Sequence, residues 1–277
     1  QGLIVHSSDF KLDKNPIDGR LTDLDRIATL SKDPGIRLLL CDSTNAELRG
    51  SSISERNVGD GLQEIFRQLP DHRIITTCFS SHIHRIQQIM DLARAEGRKV
   101  ATLGFSMERN VSLARSLGVL SIPDEDLLDV SEIASYPHNE VCVISTGSQG
   151  EPRSSLSQSA QKSGKWLKID KRDAIVFSSR SIPGNEKRIG RLVNNLIGLG
   201  ATVIDDETLD THTSGHGQVE ELRELHESAK PEWFVPVHGE LRHLVAHRQL
   251  AIENGIEPRK ALLATDGDQV IMEEAGL

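Results

Sequence analysis

Short apolar runs alternate along this chain with stretches of helical period. Leu3-Ile4-Val5-His6 reads as a strand ending at Ser7-Ser8-Asp9-Phe10-Lys11, so an acidic side chain leaves its carboxyl end. Asp13 to Gly19 is turn-rich, and Leu21 to Leu30 carries a short helical pattern. Ile36-Arg37-Leu38-Leu39-Leu40-Cys41 reads as a buried strand, again followed directly by a carboxylate in Asp42-Ser43-Thr44-Asn45. The polar run from Glu47 to Glu55 then breaks the pattern. Beyond it Val58, Leu62, Ile65, Phe66 and Leu69 fall on one face of a helix, which marks a first domain junction.

From Arg73 strand and helix alternate at short intervals. Ile74 to Phe79, Val100 to Leu103, Val141 to Ile144, Ala174 to Phe177 and Ala201 to Ile204 predict strands. Ile83, Ile86, Ile89, Met90 and Ala93 mark one helix face; Val111, Ala114 and Leu117 mark another, closed by Gly118. Asn185 suits the cap of a helix running to Leu199. This rhythm implies a parallel sheet with right-handed crossovers and an α/β fold class. A helix near Gln218 to Ser228, a strand from Glu232 to Pro236, a helix from Leu241 to Asn254 and a strand-like Ala261 to Ala264 complete the chain, with no internal repeat.

Composition adds bounds. At 277 residues and 37% apolar, the chain suffices for one large domain or two ordinary ones with a real core. No apolar run approaches the ~20 residues that cross a bilayer, and no signal-peptide pattern opens the chain. It begins directly on a strand-like run without an initiator methionine, as an excerpt of a longer protein would. Cys41, Cys78 and Cys142 sit in or at the end of apolar runs without zinc-finger spacing, which points to buried reduced thiols and a cytoplasmic location. A net charge of −9 provides no global field for a polyanion. A local groove or metal ions can still bind phosphates on such a surface.

Candidate chemistry concentrates between Thr211 and Glu240. His212-Thr213-Ser214-Gly215-His216 precedes one predicted helix, and Pro236-Val237-His238-Gly239-Glu240 follows the last core strand, which brings both imidazoles, His216 and His238, to one rim of a sheet. The plain alternative for either is a surface or hydrogen-bonded histidine, and for Asp9 a turn aspartate. Ser145-Thr146-Gly147-Ser148-Gln149-Gly150-Glu151-Pro152 offers hydroxyls and exposed amides suited to phosphate, although a tight polar turn explains it too. Arg180 to Glu186 is a rigid turn into a helix start, where Glu186 itself can answer the macrodipole. His82, His84 and Arg85 suit phosphate contacts or a solvated helix start equally.

Taken in order, Ser8-Asp9-Phe10-Lys11, Asp42-Ser43-Thr44-Asn45, Gly147-Ser148-Gln149-Gly150-Glu151, Ile182-Pro183-Gly184-Asn185-Glu186, Ser214-Gly215-His216 and Pro236-Val237-His238-Gly239-Glu240 resemble the ribonuclease J family, β-CASP members of the metallo-β-lactamase superfamily. The resemblance implies a metallo-β-lactamase αββα sandwich (residues 1–54 and 211–277) interrupted by a β-CASP α/β domain (55–210), with the RNA channel and metal site in the cleft between. It implies two zinc ions, Asp9 as the bridging aspartate and His238 as a ligand of the second ion. Asp42 and His216 become the catalytic pair, with His216 protonating the leaving oxygen, while Ser148, Gln149, His212 and Ser214 hold RNA phosphates. The implied activity is a 5′-to-3′ exoribonuclease with endoribonuclease action in RNA processing and decay. The implied assembly is a cytoplasmic homo-oligomer.

The chain departs from the family's usual glycine at Ser8 and its usual arginine at Phe105. The family's His-x-His-x-Asp-His ligand block and a further ligand histidine are expected upstream of Gln1, and a small C-terminal domain beyond Leu277. Residues 1–277 alone are therefore expected to be inactive. The rival reading is a non-catalytic module that binds RNA or a protein; a β-lactamase-like ester hydrolase leaves the β-CASP motifs without a role.

Overall fold

The computed structural model describes residues 2–206, 208–274 and 276–277. In chain order the elements are β1 (Leu3–His6), α1 (Leu24–Lys32), β2 (Ile36–Asp42), α2 (Glu55–Gln68), β3 (Arg73–Thr77), α3 (Ile83–Ala95), β4 (Lys99–Leu103), α4 (Phe105–Ser116), β5 (Leu127–Leu128) and β6 (Val141–Ser145). They continue with α5 (Ser155–Ala160), β7 (Asp173–Phe177), α6 (Glu186–Gly198), β8 (Thr202–Ile204), α7 (Val219–Ala229), β9 (Trp233–Val237) and α8 (Leu241–Glu253). Two compact units result: residues up to Ser54 with Ser214–Leu277, and Glu55–Thr213.

The first unit holds a three-stranded parallel sheet in the order β1-β2-β9. Its core joins Leu39, Cys41 and Phe234 of the strands to Leu222, Leu225 and Ala229 of α7 and Leu250 and Ala251 of α8. Because all three strands run the same way, their carboxyl ends share one edge, where Asp42 lies opposite Val237 in the register. The strand-like Ala261 to Ala264 reduces to one bridge between Phe234 and Ala261. Past that rung the chain turns at Thr265, whose backbone N–H donates to Asp268 Oδ2 (2.8 Å), and the ladder stops.

The second unit is a six-stranded parallel sheet in the order β5-β4-β6-β3-β7-β8. Alternate residues of the central strands face opposite sides, as the strand period of two requires. Ile74, Cys142, Ile144, Ala174 and Val176 pack with apolar residues of α2, α3 and α4. Ile75, Val143, Ile175 and Phe177 pack with Leu156 of α5 and Leu192 and Leu196 of α6. The structure adds β5 and α5, both too short to leave a periodic signature in sequence.

Two charged pairs lie inside this unit. Arg73 and Asp173, register partners on β3 and β7, form a bidentate pair (2.7 and 3.0 Å). Arg85 is 1% exposed. It grips Glu55 through two nitrogens and donates from Nη1 to the carbonyls of Thr211 (2.8 Å) and Ser178 (3.2 Å). Phosphate contact and a solvated helix start are thus both replaced at Arg85 by an internal clamp. The three cysteines are free and buried, with burial pushing each thiol up to about 12.

Candidate active site

Four side chains meet at the carboxyl edge of the first unit's sheet. Asp9 follows β1, Asp42 ends β2, His238 follows β9, and His216 comes from the loop before α7. One potential ligand atom from each lies within 4.8 Å of all the others. The His216 and His238 rings stack with centroids 5.3 Å apart.

Asp42 is the buried member. Its Oδ2 accepts from His216 Nδ1 (2.7 Å), and its Oδ1 accepts from the backbone N–H and hydroxyl of Thr44 (3.0 and 2.8 Å). Burial would raise this carboxyl, but the hydrogen bonds from His216 and Thr44 outweigh it and hold the acid well below the usual carboxylate range. In return, the bond to Asp42 raises His216 above the ordinary imidazole value against the opposing effect of partial burial. With Nδ1 committed to Asp42, Nε2 is the His216 nitrogen left for chemistry.

Asp9 and His238 are exposed, and His238 Nδ1 lies 3.6 Å from Asp9 Oδ1. The Thr44 hydroxyl sits 2.9 Å from the same nitrogen and 3.1 Å from the His238 carbonyl, so one threonine orients both Asp42 and His238. The sequence shows the aspartate-x-threonine turn as Asp42-Ser43-Thr44 but carries no sign of its bridge to His238. Two residues here adopt left-handed backbone, Ser8 (φ 54°) and His238 (φ 55°). That conformation explains why glycine suits the Ser8 position: a side chain there carries a steric cost that glycine avoids.

The His216 loop is pinned from below. Asn45 Nδ2 donates to Ser214 Oγ (2.9 Å) and to the His216 carbonyl (2.8 Å), and the His216 N–H donates to the same Oγ (3.1 Å). The Ser214 oxygen therefore builds the loop and keeps only its own proton to donate. Glu221, in the first turn of α7, is 2% exposed and accepts from the backbone of Leu12 (2.9 Å), Ser52 (2.7 Å) and Gln218 (2.9 Å). This ties the segment after Asp9 to the helix that follows His216. The sequence offered no signal for it beyond an acidic first turn.

The remaining expected residues belong to the second unit. Ser148 is buried in the loop after β6. Gln149 is also buried, and its amide is spent on the turn ahead of α6: Nε2 donates to the Arg180 carbonyl, while Oε1 accepts from the Ile182 N–H and Asn185 Nδ2. Asn185 thereby forgoes the side-chain cap expected of it. Glu186 instead accepts from the Gly184 N–H. His212 is half-buried and pushed down to about 3, by desolvation first and then by the charges of Arg85 and Arg180. Phe105, at the first turn of α4, is 80% exposed.

For a metal ion, the carboxylate and imidazole chemistry of the four-residue group suits zinc. Asp42 and His216 already pair with one another, and His238 Nδ1 lies 2.9 Å from the Thr44 hydroxyl and 3.3 Å from Asp42 Oδ1, so Asp9 and the other ring nitrogen of His238 are the atoms open to a metal. A second group, His138, Asp170 and Asp173, meets the same distance criterion, but its carboxylates pair with Arg172 and Arg73.

Residues 71–196 match the family described as "Ribonuclease J, beta-CASP domain", and residues 208–260 that described as "Zn-dependent metallo-hydrolase RNA specificity domain". The chain is 40% identical over 269 residues to a ribonuclease J of Mycolicibacterium smegmatis, covering 97% of this chain and 48% of that one. To a ribonuclease J of Helicobacter pylori strain B128 it is 39% identical, covering 97% and 39%. To one of Sinorhizobium meliloti it is 42% identical over 255 residues, covering 92% and 45%. The chain thus spans less than half the length of these relatives. On the two matched domains and this identity along nearly all its residues, the chain belongs to the ribonuclease J family, within the metallo-β-lactamase superfamily.

Proposed function

We propose that this chain carries the general-acid half of a zinc-dependent ribonuclease that degrades RNA from its 5′ end and also cuts internally, in RNA processing and decay. The observation that carries the reading is the Asp42–His216 pair beside Asp9 and His238 on one sheet edge. Asp9 and His238 would hold metal, two zinc ions in the full centre. When bound, zinc supplies Lewis acidity that activates water and offsets phosphoryl charge.

The chain's own residues do the rest. Asp42 fixes the His216 ring through Nδ1 and favours its charged form, so Nε2 holds a proton for the departing oxygen. The hydroxyls of Ser148 and Ser214 and the ring of His212 would take phosphate oxygens, while Gln149 shapes the loop that presents Ser148. Within the family reading, residues 1–54 and 211–277 belong to the metallo-β-lactamase domain and 55–210 to β-CASP. The protein would act in the cytoplasm as a homo-oligomer. Among the described residues no helix is long and apolar enough to cross a membrane.

A second reading, a module that binds RNA without cutting, has one observation behind it. A catalytic zinc takes three protein ligands, and on this edge Asp42 and His216 pair with one another while His238 Nδ1 lies 2.9 Å from the Thr44 hydroxyl and 3.3 Å from Asp42 Oδ1, which leaves Asp9 and His238 Nε2 to ligate. Residues 1–277 alone should therefore hold zinc weakly and cut poorly. Elemental analysis and degradation of a 5′-monophosphorylated RNA test both readings. Stoichiometric zinc with chelator-sensitive cleavage by this chain alone overturns the ligand assignment. Grafted in place of the matching segment of the mycolicibacterial relative, the chain should give a metal-loaded, RNA-degrading protein; a loaded graft that binds RNA uncut favours the module.

A further inference from the structure

Beneath the candidate site lies a polar chain that the proposed chemistry does not use. His226 of α7 and His247 of α8 are both buried, and their Nε2 atoms are 3.1 Å apart. Phe234 of β9 meets both rings edge-on, with centroids 4.6 and 4.8 Å away. His247 Nδ1 lies 2.9 Å from the hydroxyl of Ser43, the residue between Asp42 and Thr44. Ser43 in turn reaches two strand ends: its Oγ donates to the Cys41 carbonyl (3.2 Å), and its backbone N–H donates to the His238 carbonyl (3.4 Å).

Counting protons gives this chain a direction. A neutral imidazole has one N–H, so the contact between two Nε2 atoms needs one ring to donate and the other to accept. If Ser43 donates to the Cys41 carbonyl, its oxygen accepts from His247 Nδ1–H. His247 Nε2 is then the acceptor, and His226 Nε2–H the donor. That arrangement leaves His226 Nδ1 as a bare lone pair, and this atom is buried without a partner. The opposite polarity would strand an N–H there, the less tolerated of the two defects. Burial pushes His226 down to about 4 and His247 well below the ordinary value, so both rings are neutral. The order is therefore His226 to His247 to Ser43 to the Cys41 carbonyl.

We propose that His247, backed by His226, is a positioning residue that holds Ser43 and, through it, the ends of β2 and β9 that carry Asp42 and His238. With its oxygen held from both sides, Ser43 cannot swing. The turn that aims Asp42 at His216 and Thr44 at His238 then keeps one geometry. Such a fixed edge matters because small displacements of reacting groups cost rate out of proportion to their size. The inference deepens the reading of Asp42, His216 and His238 as the working edge, but its test requires neither metal nor RNA.

The test uses the chain itself and two substitutions that split the ring's two bonds. In His247→Asn the amide nitrogen takes the place of Nδ1 and keeps the bond to Ser43; in His247→Gln the amide oxygen takes the place of Nε2, accepts from His226 Nε2–H and keeps only that bond. Both should lower the melting temperature, since each loses one hydrogen bond and the packing on Phe234. The imidazole resonances of His216 and His238 should stay at their parent positions in His247→Asn and move beyond their line widths in His247→Gln. Ser43→Ala, which breaks the same bond from the other side, should move them too, and combining it with His247→Gln should add no further shift. If the two His247 variants move the rings alike, or if His247→Gln and Ser43→Ala lower the melting temperature without moving them, the histidines are core packing alone and the proposal fails. Should His247→Gln not fold, Ser43→Ala decides by the same criterion. A graft that fails to degrade RNA while these shifts appear would count against the nuclease reading and leave this one standing.

Discussion

Asp42 carries two opposing influences, and their balance decides what His216 can do. Burial favours its neutral form, yet the imidazole and the Thr44 donors win, so the acid stays ionised and raises its histidine partner. On the proposed reading, removing His216 takes away the proton donor and leaves Asp9 and His238 in place. In the mycolicibacterial graft, His216→Ala should cut turnover ~10²–10⁴-fold while zinc content stays near that of the unmutated graft. Unchanged turnover across pH would take His216 out of the mechanism. The sequence singles out Asp9, Asp42, His216 and His238 because each stands where an apolar run stops or a helix starts. It does not single out Thr44, Ser43 and Glu221, because what they do depends on partners from distant segments. Gln149 shows the converse: its motif was visible, but only the structure shows the amide turned inward to the Ile182 turn.

At the scale of elements, α7 and α8 each place a histidine where apolar periodicity would put an aliphatic residue. The unfolded chain binds protons at these rings near pH 6.5, whereas the folded chain refuses them until far lower. The folded pKa is depressed, so stability falls as pH drops from about 6.5 towards 4. His216 has the opposite sign: its raised pKa contributes fully below the unfolded value and is lost as pH rises through the folded one. Two buried rings against one half-exposed ring leave a net loss in acid. Urea unfolding of the first unit, followed by Trp233 fluorescence, should show a lower midpoint at pH 5 than at pH 7; equal midpoints would mean the rings are not excluded from protons. Most elements were readable from period and punctuation, since long amphipathic helices such as α2 and buried strands such as β3 leave strong patterns. The failures were short or unsupported: α5 and β5 span too few residues for a period, and Ala261 to Ala264 has strand composition but only one rung to pair with.

For the molecule as a whole, the alternation from Glu55 onward closes on itself in six parallel strands with apolar cores on both faces. The polar run before Glu55 made that junction visible from sequence. The return lay in a loop without such a break, which the sequence places at Thr211 and the packing at Ser214. Glu55–Thr213 expressed alone should melt in one cooperative transition. An aggregated or molten product would show that this unit depends on the other.

The Arg85 clamp has a mechanical consequence for that unit. Glu55 is its first residue and Thr211 stands near its last, and one guanidinium holds both. Tension applied at the two ends pulls directly on these hydrogen bonds and, at Thr211, on the bond from its hydroxyl to the Phe177 carbonyl at the end of β7 (2.8 Å). The ends should therefore resist separation as a latch does, giving way in one step, and Arg85→Met should remove that first yield point while leaving the sheet's own rupture force in place.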